Sequence, residues 1–331
     1  MAVRKDFQLH SKASDGVWRP SRVVLEAKKC GLETIALTDH NTTFGLNEAF
    51  ETGKNVGVEV VSGIEISVLD FVEGVAVDDF ELLGLYFNQE KMAGFVHELA
   101  GYRRTALQKR VDALNAYFNS SHFGLEDSFK KYPLLSPHEV SVDDVIIWKS
   151  RRCHYVHSDP IILDFDFVMF LFSTFNPALD VARRYLSGEK GIIDEVRSEY
   201  PFLFRIPQER KSFERVISEI HHAGGIAVIA HPGRSRFYDS GLLVKSWNNP
   251  DGSQERGISP SLFVSNLQAK GLDGIELYHY HGNCSVTVEE EIRMNEYFNG
   301  VADQLSLRIT YGSDCHGPRG RLPLIGRFGQ P

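Results

Sequence analysis

Apolar residues alternate along this chain between helical spacing and short β-branched runs. Between Pro20 and Gly31, Val24 and Ala27 share one face behind Ser21, which predicts a helix ended by Gly31. Glu33 to Thr38 then reads as a strand, and Val58 to Val68 and Glu81 to Phe87 as two more. A polar stretch carrying Asp70, Glu73, Asp78 and Asp79 reads as the connection between the last two. The alternation returns late in the chain. Phe213, Val216, Ile217 and Ile220 follow helical spacing, Gly224-Gly225 stops them, and Ile226 to Ala230 predicts a strand. A second copy opens at Ser259-Pro260, ends at Gly271 and leads into a strand from Gly274 to Tyr280. Thr287 with Glu290 has capping-box spacing, and Leu307 to Tyr311 is β-like.

The middle breaks this rhythm. Val96, Leu99, Leu107, Val111 and Leu114 predict a long helix, followed by aromatic-rich sequence in which Phe165 to Phe175 is a buried helix or strand. Alternating strand and helix predict an α/β barrel over residues 1–91 and 211–331, with a mainly helical lobe inserted at 92–210.

Composition narrows the class. With 331 residues, 42% of them hydrophobic and 24% charged, the chain can bury a large core and is neither fibrous nor disordered. The first residues turn polar before any apolar run of leader length, and no stretch approaches the roughly 18 uncharged residues of a membrane span. A cytoplasmic location is expected. Four cysteines without a CxxC pair imply reduced thiols, not a disulfide framework. A net charge of −8 opposes binding to long nucleic acids, which depends on cationic side chains displacing counterions. A small phosphorylated ligand remains compatible.

Chemistry-bearing residues gather at the C-terminal ends of the predicted strands: His10, His40, Glu65, His231, Asp314 and His316. In a barrel these ends converge on one face. Singly, each is an ordinary core or surface residue, whereas six at equivalent positions point to a metal centre.

These segments resemble the polymerase and histidinol phosphatase (PHP) family of metallophosphoesterases, especially its small nucleotide phosphatases and 5′-3′ exonucleases. The resemblance is carried by Leu9-His10-Ser11 with Ser14-Asp15-Gly16, by Leu37-Thr38-Asp39-His40-Asn41-Thr42 with Gly45, and by Gly63-Ile64-Glu65. It continues through Ala230-His231-Pro232-Gly233-Arg234 and Gly312-Ser313-Asp314-Cys315-His316. It implies a distorted seven-stranded, TIM-like (β/α) barrel holding two or three divalent ions: Mn, Zn, Fe or Mg. The implied ligand positions are Gln8, His10, Asp15, His40, Glu65, Glu81, His231, Asp314 and His316, with Asp314, His231 and Glu65 as the expected catalytic residues. One ion would use Asp15, His40 and His316. A second would use His10, Glu65, Asp314 and Gln8, and a third Glu65, His231 and Glu81.

Two positions depart from the family pattern. Gln8 replaces the first His of H-x-H, and Glu81 replaces a His before Leu-Leu-Gly. An amide oxygen binds transition metals more weakly than imidazole and shifts the site toward hard cations such as Mn²⁺ or Mg²⁺. The broken H-x-H also speaks against a zinc amidohydrolase.

The resemblance further implies metal-activated water attacking a phosphate ester. Arg234, His154, Arg152 and Lys12 are the candidate phosphate-binding residues; Arg151-Arg152-Cys153-His154 resembles a family G-R-P-H segment. The expected substrate is a nucleotide, a nucleoside bisphosphate or the 5′ end of a short oligonucleotide. The competing expectation is a catalytically silent barrel that binds a ligand as a regulatory subunit.

Overall fold

The computed structural model of the protein describes residues 4–72, 75–120, 123, 130–135, 138–153, 161–162, 164–186, 191–206, 211–234, 260–278 and 287–317. These residues fall into two compact units, one within residues 1–97 and 210–317, the other within 98–209.

The first unit is a seven-stranded sheet in the order β1 to β7: β1 (Lys5–Leu9), β2 (Thr34–Leu37), β3 (Glu59–Val72), β4 (Val75–Leu85), β5 (Ile226–Ile229), β6 (Gly274–Tyr278) and β7 (Arg308–Gly312). Strands β1 to β3 run parallel, as do β5 to β7, while β4 is antiparallel to both of its neighbours. Beyond β7, Cys315 bridges back to Leu9, so the sheet nearly closes into the expected barrel. Phe7, Ala36, Val61, Leu83, Leu85, Val228 and Ala230 pool into one apolar cluster drawn from the first five strands.

Helices cover the strands with the faces that periodicity assigns to them. In α1 (Pro20–Lys29), Pro20 takes the first turn, where its missing N–H costs nothing, and Val23, Val24 and Ala27 are buried. Then comes α2 (Leu46–Val56), absent from the sequence expectations, capped by Gly57 at φ 70°. Within α3 (Gln89–Phe118) the chain passes from the first unit to the second, at residues 97 and 98.

The polar stretch expected to connect two strands is itself strand. The β3–β4 pairing continues through Asp70↔Val77 and Phe71↔Ala76 to Val72↔Val75, and it interrupts the strand-helix alternation with an antiparallel ribbon. Antiparallel arms satisfy each other's backbone groups whatever side chains they carry. Asp70 is moreover partnered, accepting from the Phe213 N–H and the Lys270 ammonium at 3.1 Å each.

In the second unit follow α4 (Val142–Cys153), α5 (Asp164–Phe175), α6 (Val181–Leu186), α7 (Ile192–Glu199) and α8 (Pro201–Phe204). The apolar run from Phe165 is thus helical. Phe167, Val168, Leu171 and Phe175 of α5 join Leu114, Val145, Tyr200 and Leu203 in one core. The two acids that punctuate the run lie in the first turn of α5, where the helix dipole favours negative charge. Each has a cationic partner, Arg110 at 2.8 Å for Asp164 and Lys149 at 2.6 Å for Asp166.

The chain then returns to the first unit. Ser212 caps α9 (Phe213–His222) by accepting from the Arg215 N–H, and Phe213, Val216, Ile217 and Ile220 form its buried face. Then come α10 (Pro260–Ala269) and α11 (Val288–Leu305). The expected capping box opens α11, with Thr287 and Glu290 bonding each other's backbone N–H. Among the described residues, no helix is long and apolar enough to cross a membrane.

Candidate metal centre

Strand ends and the turns after them bring the predicted residues to one place. Gln8 lies in β1 and His10 just past it, Glu65 and Glu81 on the paired arms β3 and β4, and His231 two residues past β5. Asp314 and His316 follow β7. Two of these residues sit in the left-handed backbone region, His231 at φ 27° and Asp314 at φ 51°. Non-glycine residues enter that region at a cost, and such strain gathers at functional sites.

Three groups interlock. His10, Asp15, His40 and His316 each offer one donor atom, all within 4.8 Å of one another; so do His10, Glu65 and Asp314, and so do His40, Glu65 and Glu81. His10 lies at the junction. Its Nε2 is 2.9 Å from Asp314 Oδ1 and 3.0 Å from Glu65 Oε2, while its ring stacks on His316 at 4.2 Å and on His40 at 4.6 Å. His316 Nε2 is 2.9 Å from Asp15 Oδ2, and its Nδ1 donates to the Asp314 carbonyl at 2.7 Å. A carbonyl only accepts, so Nδ1 carries a hydrogen, and Nε2 is the ring nitrogen turned toward Asp15. His231 Nε2 reaches Glu65 Oε1 at 2.9 Å and Glu81 Oε2 at 3.4 Å.

The donor set fits divalent cations. Both ring nitrogens of His10, Glu65 Oε2 and Gln8 Oε1 are buried without a hydrogen-bond partner. Although His10 Nε2 lies close to two carboxylates, it meets neither in hydrogen-bonding geometry. Buried polar atoms left so are costly unless something else satisfies them. Imidazoles and carboxylates at mutual ligand distance are the groups that bind Mn²⁺, Zn²⁺ or Fe²⁺.

The charges support one another. Burial alone would lower the pKa of His10, yet the Asp314 and Glu65 carboxylates hold it well above the ordinary histidine value. Burial likewise opposes the charge on His231, and hydrogen bonds to Glu65 and Glu81 overcome it, raising the pKa to about 10. The reverse holds for the acids: burial would raise Asp15 and Glu65, but His316 and His40 beside Asp15, and His40, His10 and His231 around Glu65, hold both well below the carboxylate range.

Gln8 faces Glu65 with its amide nitrogen, Nε2 to Oε1 at 2.8 Å, and not with the oxygen expected to ligate. Glu81 turns into the centre, with Oε1 3.4 Å from His40 Nδ1. Of the phosphate-binding candidates, Lys12 is half-buried two residues past His10, its N–H donating to the Trp18 carbonyl at 2.7 Å. Arg234 ends the 3-10 turn after His231 and Arg152 lies in α4, but the side chains of both, and all of His154, lie outside the described residues.

Several buried residues that support the centre were not expected from the sequence. Asp39 accepts from the N–H and hydroxyl of Ser11, both at 2.7 Å, and from the Ser14 hydroxyl. Asp6 accepts from the N–H and hydroxyl of Ser313. Glu276 accepts from the His231 N–H, and burial pushes its carboxyl well above the ordinary value. The Tyr278 hydroxyl donates to Asp314. Their common signal is placement: each lies within two residues of a candidate ligand or on the inward face of a strand.

A model of the PHP domain matches residues 6–186. The chain belongs to the PHP domain family. It is 26% identical to a 5′-3′ exoribonuclease of Haemophilus influenzae, over 98% of its own length and 94% of the relative's. It is 29% identical to a phosphoribosyl 1,2-cyclic phosphate 1,2-diphosphodiesterase of Eggerthella lenta, over 97% of each chain. It is 26% identical to a 3′,5′-nucleoside bisphosphate phosphatase of Chromobacterium violaceum, over 95% of its length and 87% of the relative's. Among solved structures, it superposes on a Bifidobacterium adolescentis protein whose name places it with metal-dependent phosphoesterases. That match has a TM-score of 0.63 at 24% identity, over 96% of this chain and 89% of the other. A Chromobacterium violaceum amidohydrolase with bound sulfate matches with a TM-score of 0.59 at 22% identity, over 99% and 91%. Both likenesses show a shared fold over nearly the whole chain.

Proposed function

We propose that this PHP chain is a metal-dependent phosphoesterase that hydrolyses a phosphate ester of a nucleotide, a nucleoside bisphosphate or the 5′ end of a short oligonucleotide. The three interlocked donor groups, two of them sharing His10, carry the reading. The names of the full-length relatives supply the substrate class. Bound divalent ions supply Lewis acidity toward phosphoryl oxygens and acidify a water.

The protein's own contribution is placement. Asp15, His40 and His316 gather with His10; Glu65 and Asp314 gather with His10 in turn; and Glu81 joins Glu65 and His40, with His231 reaching both glutamates. The buried carboxylates remain ionised because the imidazoles beside them hold their pKa values down. Lys12, beside His10, and Arg234, three residues after His231, are the groups for a phosphate that is bound but not cleaved.

The carboxylate at position 81 and the amide at position 8 shift the expected preference toward Mn²⁺ or Mg²⁺ over Zn²⁺. The test is metal analysis of the purified protein together with hydrolysis of a nucleotide panel in Mn²⁺, with an Asp314→Ala, His316→Ala double variant as the blank. Two or more bound ions, with phosphate release that the variant loses, establish the enzyme. Bound ions without turnover above the blank refute hydrolysis and favour a regulatory, ligand-binding barrel.

A further inference from the structure

Tyr278 is the last residue of β6, fully buried, and faces the centre. Its hydroxyl donates to Asp314 Oδ2 at 2.8 Å. The other oxygen, Oδ1, is the one that approaches His10 Nε2 at 2.9 Å and His316 Nδ1 at 3.5 Å. The two oxygens of a single carboxylate are thus divided between a tyrosine and the donor group that suits an ion.

The tyrosine is itself held from behind. At the end of β6, Asn295 of α11 clamps its backbone, Nδ2 donating to the Tyr278 carbonyl at 3.0 Å and Oδ1 accepting the Tyr278 N–H at 3.1 Å. The ring meets His231 edge-on, with centroids 5.2 Å apart and planes at 68°. A buried phenol needs a polar partner, and a carboxylate in strained backbone needs a fixed rotamer; each supplies what the other lacks. Outer partners of this kind orient ligating groups and set metal affinity, commonly by about 10- to 100-fold.

We infer that Tyr278, fixed by Asn295, is a positioning residue for Asp314, holding Oδ2 so that Oδ1 is presented to an ion shared with His10 and Glu65. The inference rests on the metal-dependent reading of the same centre. Nothing in it requires Tyr278 to touch substrate.

The test is calorimetric titration of the full-length, metal-stripped protein with Mn²⁺, alongside the melting temperature of the same samples without metal. Tyr278→Phe removes only the hydroxyl. Its Mn²⁺ affinity is expected to fall about 10- to 100-fold with the metal-free melting temperature changed by only a few degrees. Asn295→Ala is expected to weaken Mn²⁺ in the same direction. The double variant is expected to bind no more weakly than Tyr278→Phe, because the two act in series.

Wild-type Mn²⁺ affinity in Tyr278→Phe overturns the inference, as does an additive loss in the double variant. Should Tyr278→Phe fail to fold, a wild-type affinity in Asn295→Ala overturns it equally. Ion binding does not require turnover, so a chain whose Mn²⁺ affinity depends on Tyr278 but that cleaves nothing refutes the phosphoesterase alone. A wild-type chain that binds no Mn²⁺ refutes both.

Discussion

Ser14 donates its hydroxyl to Asp39 Oδ1 at 2.6 Å, so the residue before one candidate ligand, Asp15, is tied to the residue before another, His40. With Ser11 bound to the same carboxylate through its N–H and hydroxyl, Asp39 fixes the turn from His10 to Asp15 against the end of β2. Asp39→Ala is expected to leave three buried donors unpaired and to cost about 3 kcal/mol. Urea denaturation measures it. A loss below about 0.5 kcal/mol would mean that the turn holds its shape without Asp39.

Gln8→Glu sets a second carboxylate against Glu65, where the wild type has an amide donor at 2.8 Å. Without metal, the variant is expected to lose about 3 kcal/mol, because the buried carboxylate then faces its like. Saturating Mn²⁺ is expected to recover more stability in the variant than in the wild type, since the new carboxylate is also a better ligand. Melting temperatures in chelator and in Mn²⁺ decide it. An equal Mn²⁺ shift in both proteins would show that position 8 does not face the ion.

Gly312 lies where β7 crosses the inward side chains of its neighbours. A methyl there would collide with Glu276 Oε1 and stand 2.7 Å from Gln8 Cβ. Gly312→Ala is expected to cost about 2 kcal/mol or more and to weaken Mn²⁺ binding. In α3, by contrast, a methyl at Gly94 meets nothing within 4 Å, and Gly94→Ala is expected to stabilise by up to about 1 kcal/mol. Denaturation midpoints of the two variants that coincide would contradict the packing.

The capping box of α11 predicts a pH dependence. The Glu290 carboxyl accepts the Thr287 N–H at 2.7 Å, and that hydrogen bond holds it below the ordinary glutamate value. A depressed folded-state value contributes stability above the unfolded-state value and loses it as pH falls through the folded-state one. Amide exchange in the first turn of α11 is therefore expected to be faster in Glu290→Ala than in wild type at pH 7. The gap is expected to close in acid, and a gap that persists there would exclude the ionised carboxylate as its cause.

The strand ends were legible because ligand chemistry and backbone punctuation coincide there: His10, His40 and His231 each follow a β-branched or apolar run, and Gly224-Gly225 marks where one begins. The β3–β4 ribbon was not, since Asp70 and its acidic neighbours mimic a loop, and it takes the distant Phe213 N–H and Lys270 to show why one of them is tolerated. The orientation of Gln8 was equally hidden. Sequence names an amide but not which of its atoms meets Glu65. Asp39 and Tyr278 were overlooked for a related reason: each acts on a ligand through a contact that depends on closure of the barrel, not on spacing along the chain.

That closure has a consequence for biogenesis. Asp6 and Ser313, which bond each other, stand 307 positions apart. All the strands between them must therefore be made before β1 finds this neighbour, and contacts of such long range form late and slowly. His10 can be joined by Asp314 and His316 only at that step. The two donor groups that use Asp314 or His316 are thus complete only once the seam has formed, whereas His40, Glu65 and Glu81 come from the first quarter of the chain and do not wait for it.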